Sequence, residues 1–139
     1  MKKLVLALLA LAAACALSAC GGRNSGVPDL TGEWTQSGGE TFYQIAEITG
    51  DTVNVWWYLP EEDTRNLYWS GSFVPPTDRG NSYKWTSENR YTVEELEASH
   101  QYDYVAREET KEFTYKDGVL SYYVTAGHLR MIYELKRPE

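Results

Sequence analysis

From Thr31 onward the chain repeats one device: a short run rich in Trp, Tyr, Val and Thr, closed by Gly, Pro, Asn or Asp. The stretch Thr52 to Leu59 shows it best. Val53, Val55, Trp57 and Leu59 alternate with Thr52, Asn54, Trp56 and Tyr58. A period of two suits a pleated strand with one face buried, because successive side chains leave opposite sides of the backbone. Neighbours such as Trp56 and Trp57 therefore cannot both enter one core. Repeated at short spacing with turn residues between, such strands build an antiparallel sheet that closes into a barrel or folds into a sandwich.

Taken in order, Thr31 to Gln36 is expected as the first strand, Gly38-Gly39 as a turn and Glu40 to Thr49 as the second strand. Gly50-Asp51 leads into Thr52 to Leu59, and Pro60-Glu61-Glu62-Asp63 is a polar loop. Asn66 to Val74 follows, with Leu67, Trp69, Gly71 and Phe73 on one face and Gly71 marking a bend or bulge. Pro75 to Asn81 is the strongest loop signal, and Ser82 to Arg90 the fifth strand, with Tyr83 and Trp85 on one side. Thr92-Val93-Glu94-Glu95 has the form of a capping box and predicts a short helix over 93–98. Gln101 to Val105 either extends that helix or starts a strand. Lys111 to Lys116 and Val119 to Thr125 form a hairpin across Asp117-Gly118, a pair suited to a type I′ turn. Ala126-Gly127 then turns into His128 to Lys136, with Leu129, Met131, Tyr133 and Leu135 inward. The expectation is an all-β fold, a small antiparallel meander barrel of about eight strands with one short helix.

The N-terminus obeys different rules. Lys2 and Lys3 precede an apolar run from Leu4 to Leu17, and Gly21-Gly22-Arg23-Asn24 stops it. The run is shorter than the roughly 20 residues a membrane span needs, so it reads as the helix of an export signal. Leu17-Ser18-Ala19-Cys20 resembles the lipobox of bacterial lipoproteins. That resemblance implies cleavage between Ala19 and Cys20 and acylation of Cys20. Cys15 fits less well, because Ala12 stands where the pattern has Leu. The expected organisation is a signal peptide over 1–19, a flexible tether over 20–28 and a single β domain over 29–139. Cleavage would leave Cys20 as the sole cysteine, with no intramolecular disulfide. Two or three acyl chains, at about 0.8 kcal/mol per CH₂, would hold the domain at the extracytoplasmic face of the cell membrane. The tether would span about 15–17 Å.

Charge narrows the partners. The formal net charge is −7, and loss of Lys2 and Lys3 takes it to −9. Nucleic acid and anionic lipid surfaces call for basic patches, so neither is expected as a partner of the folded domain. Five Trp and eleven Tyr crowd this small domain. Strands favour such residues and small barrels are filled by large side chains, so most should be structural. Trp56, Tyr58, Tyr68, Tyr122 and Tyr123 fall on outward or ambiguous faces and are the candidates for ligand or partner contact. No catalytic residue, metal ligand or cofactor is assigned. His100 and His128 lack a zinc spacing, Ser70-Gly71-Ser72 lacks a nucleophile elbow, and Glu61-Glu62-Asp63 lacks the spacing of a calcium loop. The chain is expected to be a monomer and not an enzyme.

Gly32-Glu33-Trp34, followed by hairpins and a last strand ending in Lys136-Arg137, resembles the lipocalins. The resemblance implies that Gly32 and Trp34 close one barrel end and that Arg130 or Arg137 packs over the Trp. Tyr102-Asp103-Tyr104 is similar to a second lipocalin motif, but lacks its Thr, and the chain is shorter than a full lipocalin. Pro28 to Trp34 and Thr114 to Gly118 also resemble small lipoproteins of Gram-positive actinobacteria and their phages, a likeness spanning nearly the whole mature chain. Together these imply a non-enzymatic binding module at the cell surface, for a small apolar ligand in the barrel. The alternative is a lipoprotein that meets another envelope or phage protein, such as a superinfection-exclusion factor.

Overall fold

Eight strands form one antiparallel sheet that curls until its edges meet. A computed structural model describes residues 26–99 and 103–139. The signal segment, Ala19, Cys20 and most of the tether lie outside the described residues, as do His100 to Tyr102. The strands are β1 (Gly32–Gln36), β2 (Tyr43–Thr49), β3 (Thr52–Leu59), β4 (Thr64–Ser72), β5 (Ser82–Glu88), β6 (Thr110–Lys116), β7 (Val119–Ala126) and β8 (Leu129–Lys136). Among the described residues one helix, α1 (Val93–Ala98), stands between β5 and β6. The order across the sheet is β4-β3-β2-β1-β8-β7-β6-β5, so the first and last strands pair and the free edges belong to β4 and β5. The all-β barrel expected from the alternation is the architecture observed, nearly closed.

Local chemistry explains the connections. Asp117 and Gly118 take φ of 49° and 83°, the two positive angles of a type I′ turn, and Lys116 pairs directly with Val119. The capping box is complete: Glu95 N–H donates to Thr92 Oγ1 at 3.2 Å and Thr92 N–H to Glu95 Oε2 at 2.8 Å. Residues 103–105 are turn and bend, neither a helical extension nor a strand.

One irregularity reorganises β4. Val55 pairs with Trp69 but Trp56 pairs with Leu67, leaving Tyr68 as an extra residue in the ladder. A bulge of this kind breaks the alternation locally. Tyr68 and Trp69 are both buried, while Leu67 shares the outer side with Trp56 and lines a recess with Leu96 of the helix. The expected common face of Leu67, Trp69, Gly71 and Phe73 is therefore broken at Leu67.

The interior is filled by side chains. Trp34, Trp69, Phe113 and Tyr122 are almost fully buried, with Ile48, Val53, Val55, Leu120 and Leu135 between them. Each such side chain contributes about 1.5–3 kcal/mol on burial. Trp85 stacks on Phe113 with centroids 4.9 Å apart and meets Phe73 edge-on at the same separation.

Between β4 and β5 the backbone ladder shrinks to a single bridge, Gly71 to Asn89. Side chains complete this seam. Trp69 Nε1–H donates to Ser87 Oγ at 3.0 Å, Trp85 Nε1–H to Ser72 O at 3.2 Å and Glu88 N–H to Ser72 Oγ at 2.9 Å. Gly71 permits the approach. A Cβ there would lie 2.3 Å from Ser87 Oγ, 2.5 Å from Trp69 Nε1 and 2.7 Å from the Glu88 carbonyl oxygen. The Gly71→Ala substitution should therefore open the seam and cost about 1–3 kcal/mol, in the range of overpacking. Thermal unfolding would show this as a lowered midpoint; an unchanged midpoint would mean that the seam tolerates a methyl group.

Candidate functional site

The two barrel ends differ. At one, Leu30 and Trp34 are buried and Trp34 Nε1–H donates to Leu30 O at 3.0 Å. Arg137 lies over the indole, its guanidinium carbon 4.3 Å from the ring centroid. The same guanidinium donates to the Asp29 carbonyl at 2.6 Å and to that of Thr31. Gly32, at φ 106°, leaves room for it, since a Cβ there would stand 2.8 Å from Arg137 Nη1. Arg130 does not share this position. It sits 3.8 Å over Tyr123, on the outer side of β7 and β8.

The other end is open. Around it β7 and β8 run on past their neighbours: β8 pairs with β1 only at Leu135 and Lys136, and β7 pairs with β6 only as far as Tyr122. Leu129 and Met131 keep the inward phase, yet they are exposed, because the projecting hairpin has no sheet beside it to cover them. The expected inward direction holds, but at the open end it does not bury them.

Where β6 and β7 separate, Lys111 fills the gap. Its side chain is 4% exposed. The ammonium donates to the Tyr123 carbonyl at 2.9 Å and stands 3.2 Å from Glu108 Oε2, with the Tyr68 and Trp69 rings 5.2 and 5.5 Å away. A side chain thus makes the bond that the backbone ladder no longer supplies. Desolvation pushes its pKa down, opposed by Glu108.

Trp57 governs the mouth. Its indole meets Phe42, Tyr68 and Tyr133 edge-on, with centroids 5.6, 5.8 and 5.8 Å away. Two clefts share it. The larger, about 520 Å³, lies between Trp57, Tyr68, Asp103 to Glu108 and the end of β7. The smaller, about 300 Å³, is lined by Phe42, Trp57, Leu59, Asp103 and Tyr104. Below them sit polar atoms without partners. Tyr68 Oη and Gln44 Nε2 are buried and make no hydrogen bond among the described residues, although Gln44 Oε1 accepts from Tyr122 Oη.

The five contact candidates divide. Tyr68 and Tyr122 are inside the barrel, Tyr68 through the bulge and Tyr122 through its pairing with Phe113. Trp56 and Tyr58 lie on the outer face near Arg65, at 5.5 and 6.0 Å, and Tyr123 lies beneath Arg130. Of these residues only Tyr68 lines a mouth cleft. Phe42 carried no sequence signal, and Asp103 and Tyr104 stood out only within the partial motif Tyr102-Asp103-Tyr104. Comparison with known proteins returns no match, whether to a family model, a curated protein or a solved structure.

Burial raises the pKa of Tyr68 and Tyr122 above the ordinary 10.0. A raised folded-state pKa gives stability that is complete below the unfolded value and is lost as pH rises beyond it. Lys111 acts in the opposite sense, gaining stability between its lowered value and 10.5. The two tyrosines outweigh it above pH 10. The Tyr68→Phe protein should be at least as stable as wild type at neutral pH, because it removes a buried hydroxyl without a partner. Above about pH 10 its stability should fall less steeply, by about 1.4 kcal/mol per pH unit. Denaturant unfolding from pH 7 to 11 measures both; parallel slopes would show that Tyr68 ionises freely in the folded state.

Proposed function

We propose that the protein is a surface lipoprotein, cleaved before Cys20 and anchored through it, whose barrel is a non-enzymatic binding module with its site at the open end. The observation that carries this reading is the pair of clefts sharing Trp57 above an interior already packed with side chains. The ligand is small, with an apolar surface that lies against the rings of Trp57, Phe42 and Tyr104. It rests in the mouth of the barrel instead of its centre, because Trp34, Trp69, Phe113 and Tyr122 occupy the centre. Ligand sites are commonly concave and mostly apolar with a few polar groups, and Tyr68, Asp103 and Glu108 supply the polar part.

A second reading follows from the projecting hairpin. Leu129, Ile132 and Met131 are exposed by 66%, 54% and 41% and suit contact with another envelope or phage protein. Such contact would serve an exclusion role.

Expression in a bacterial host tests the anchor and both roles. The wild-type protein should incorporate a palmitate analogue and stay with the membrane, and Cys20→Ala should incorporate none and keep its signal segment uncleaved. A wild-type protein that takes up no label would remove the lipoprotein reading. A neutral fluorescent dye should bind the wild type and bind Trp57→Phe more weakly; no dye uptake by wild type would reject the mouth as a site for apolar ligands. Equal phage plaque counts with and without the protein would reject exclusion.

A further inference from the structure

The smaller cleft has a composition that selects by charge as well as by shape. Three of its five lining residues are aromatic, Phe42, Trp57 and Tyr104, and one is a carboxylate, Asp103. The Trp57 indole is held in orientation by its edge-on contacts to Phe42, Tyr68 and Tyr133, at interplanar angles of 70°, 73° and 84°. Phe42 and Tyr104 are 54% and 46% exposed, a large ring area left to water beside an acidic side chain. Among the described residues no cation lines this cleft. Arg107 lines the adjoining larger cleft, and the Lys111 ammonium is engaged with Glu108 and the Tyr123 carbonyl.

Each class of ligand meets this arrangement differently. A neutral apolar molecule filling the cleft would strip water from Asp103 without replacing its hydrogen bonds, which costs free energy. An anion would face the carboxylate and the negative faces of the rings. A hard metal ion needs several oxygen ligands, and the cleft offers one carboxylate. An alkylated ammonium satisfies both features, since its charge is drawn to ring faces and carboxylate alike and its carbon surface is easily desolvated. The net charge of −7 favours its approach over that of an anion.

We propose that Phe42, Trp57, Tyr104 and Asp103 form a cage for an organic ammonium group, either quaternary or a protonated amine. This rests on the reading of the mouth as a binding site and assigns the ligand its chemical class. The rest of the ligand extends into the larger cleft, where Tyr68 Oη is buried and lacks a hydrogen-bond partner among the described residues and Glu108 is paired with Lys111. A hydroxyl or amide on the ligand would meet the Tyr68 hydroxyl there.

The test compares choline with 3,3-dimethylbutan-1-ol, its neutral isostere, which has the same shape without the charge. The full chain, held in nanodiscs of phosphatidylglycerol, is titrated with each and followed by calorimetry. Choline should bind at least about tenfold more tightly, within the range of a desolvated cation on aromatic rings. Asp103→Asn and Tyr104→Ala, both at the rim, should each lower choline affinity severalfold while leaving the circular dichroism and melting midpoint unchanged. Repeating the titration in phosphatidylcholine discs separates the sources: weaker apparent binding of choline marks a lipid headgroup as the occupant, and unchanged binding marks a free amine, each consistent with the cage. Equal affinities for choline and its isostere would overturn the ammonium assignment and keep the mouth as a site. Absence of choline binding by a protein that still takes up the neutral dye would overturn it equally. Absence of both would remove the site altogether.

Discussion

The barrel depends on how its first and last strands are joined. Their ladder is short, Thr35 with Lys136 and Gln36 with Leu135, and could not by itself hold a cylinder closed. Arg137 supplies the rest. Its guanidinium covers the Trp34 ring and donates to the carbonyls of Asp29 and Thr31, which precede β1. One side chain thereby caps the core, satisfies two backbone acceptors and clamps the two ends of the domain to each other. A fork of planar donors makes this possible, and lysine offers no equivalent. Gly32 is required beside it for the same geometric reason.

Closing one end firmly leaves the other free to vary. The seam between β4 and β5 is held by indole and hydroxyl hydrogen bonds, and the gap between β6 and β7 by the Lys111 ammonium. Both replace backbone ladders with side chains, so the strands diverge toward the mouth with substitute hydrogen bonds along the divide. The same splaying exposes Leu129 and Met131 and opens the clefts around Trp57. Closure chemistry and binding surface are consequences of one geometry. The packed aromatic centre then limits a ligand to the rim.

Much of the architecture was legible because local chemistry and tertiary structure agree. The alternation of β3, the Asp117-Gly118 turn and the Thr92 capping box each specify their own geometry within a few residues. The bulge at Tyr68 was not legible, since one extra residue in a ladder depends on the partner strand and leaves no mark on the period of its own. Tyr68 and Leu67 changed sides for that reason. Lys111 was legible only as the start of a strand, and the parting of β6 from β7 gives its ammonium a buried place. The mouth was the least legible feature. Phe42, Trp57 and Asp103 are distant in sequence and meet only because the meander closes.

The central claim is that the interior is solid and that ligands meet the protein at the mouth. The five tryptophans are natural reporters of it: Trp34 at the closed end, Trp69 and Trp85 along the seam, Trp56 on the outer face and Trp57 at the mouth. Their indole N–H signals in a proton–nitrogen correlation spectrum can be followed as the neutral dye is added. The account predicts that the Trp57 signal shifts with saturation while those of Trp34 and Trp69 stay in place. Movement of Trp34 and Trp69 with Trp57 unchanged would put the ligand inside the barrel and contradict it.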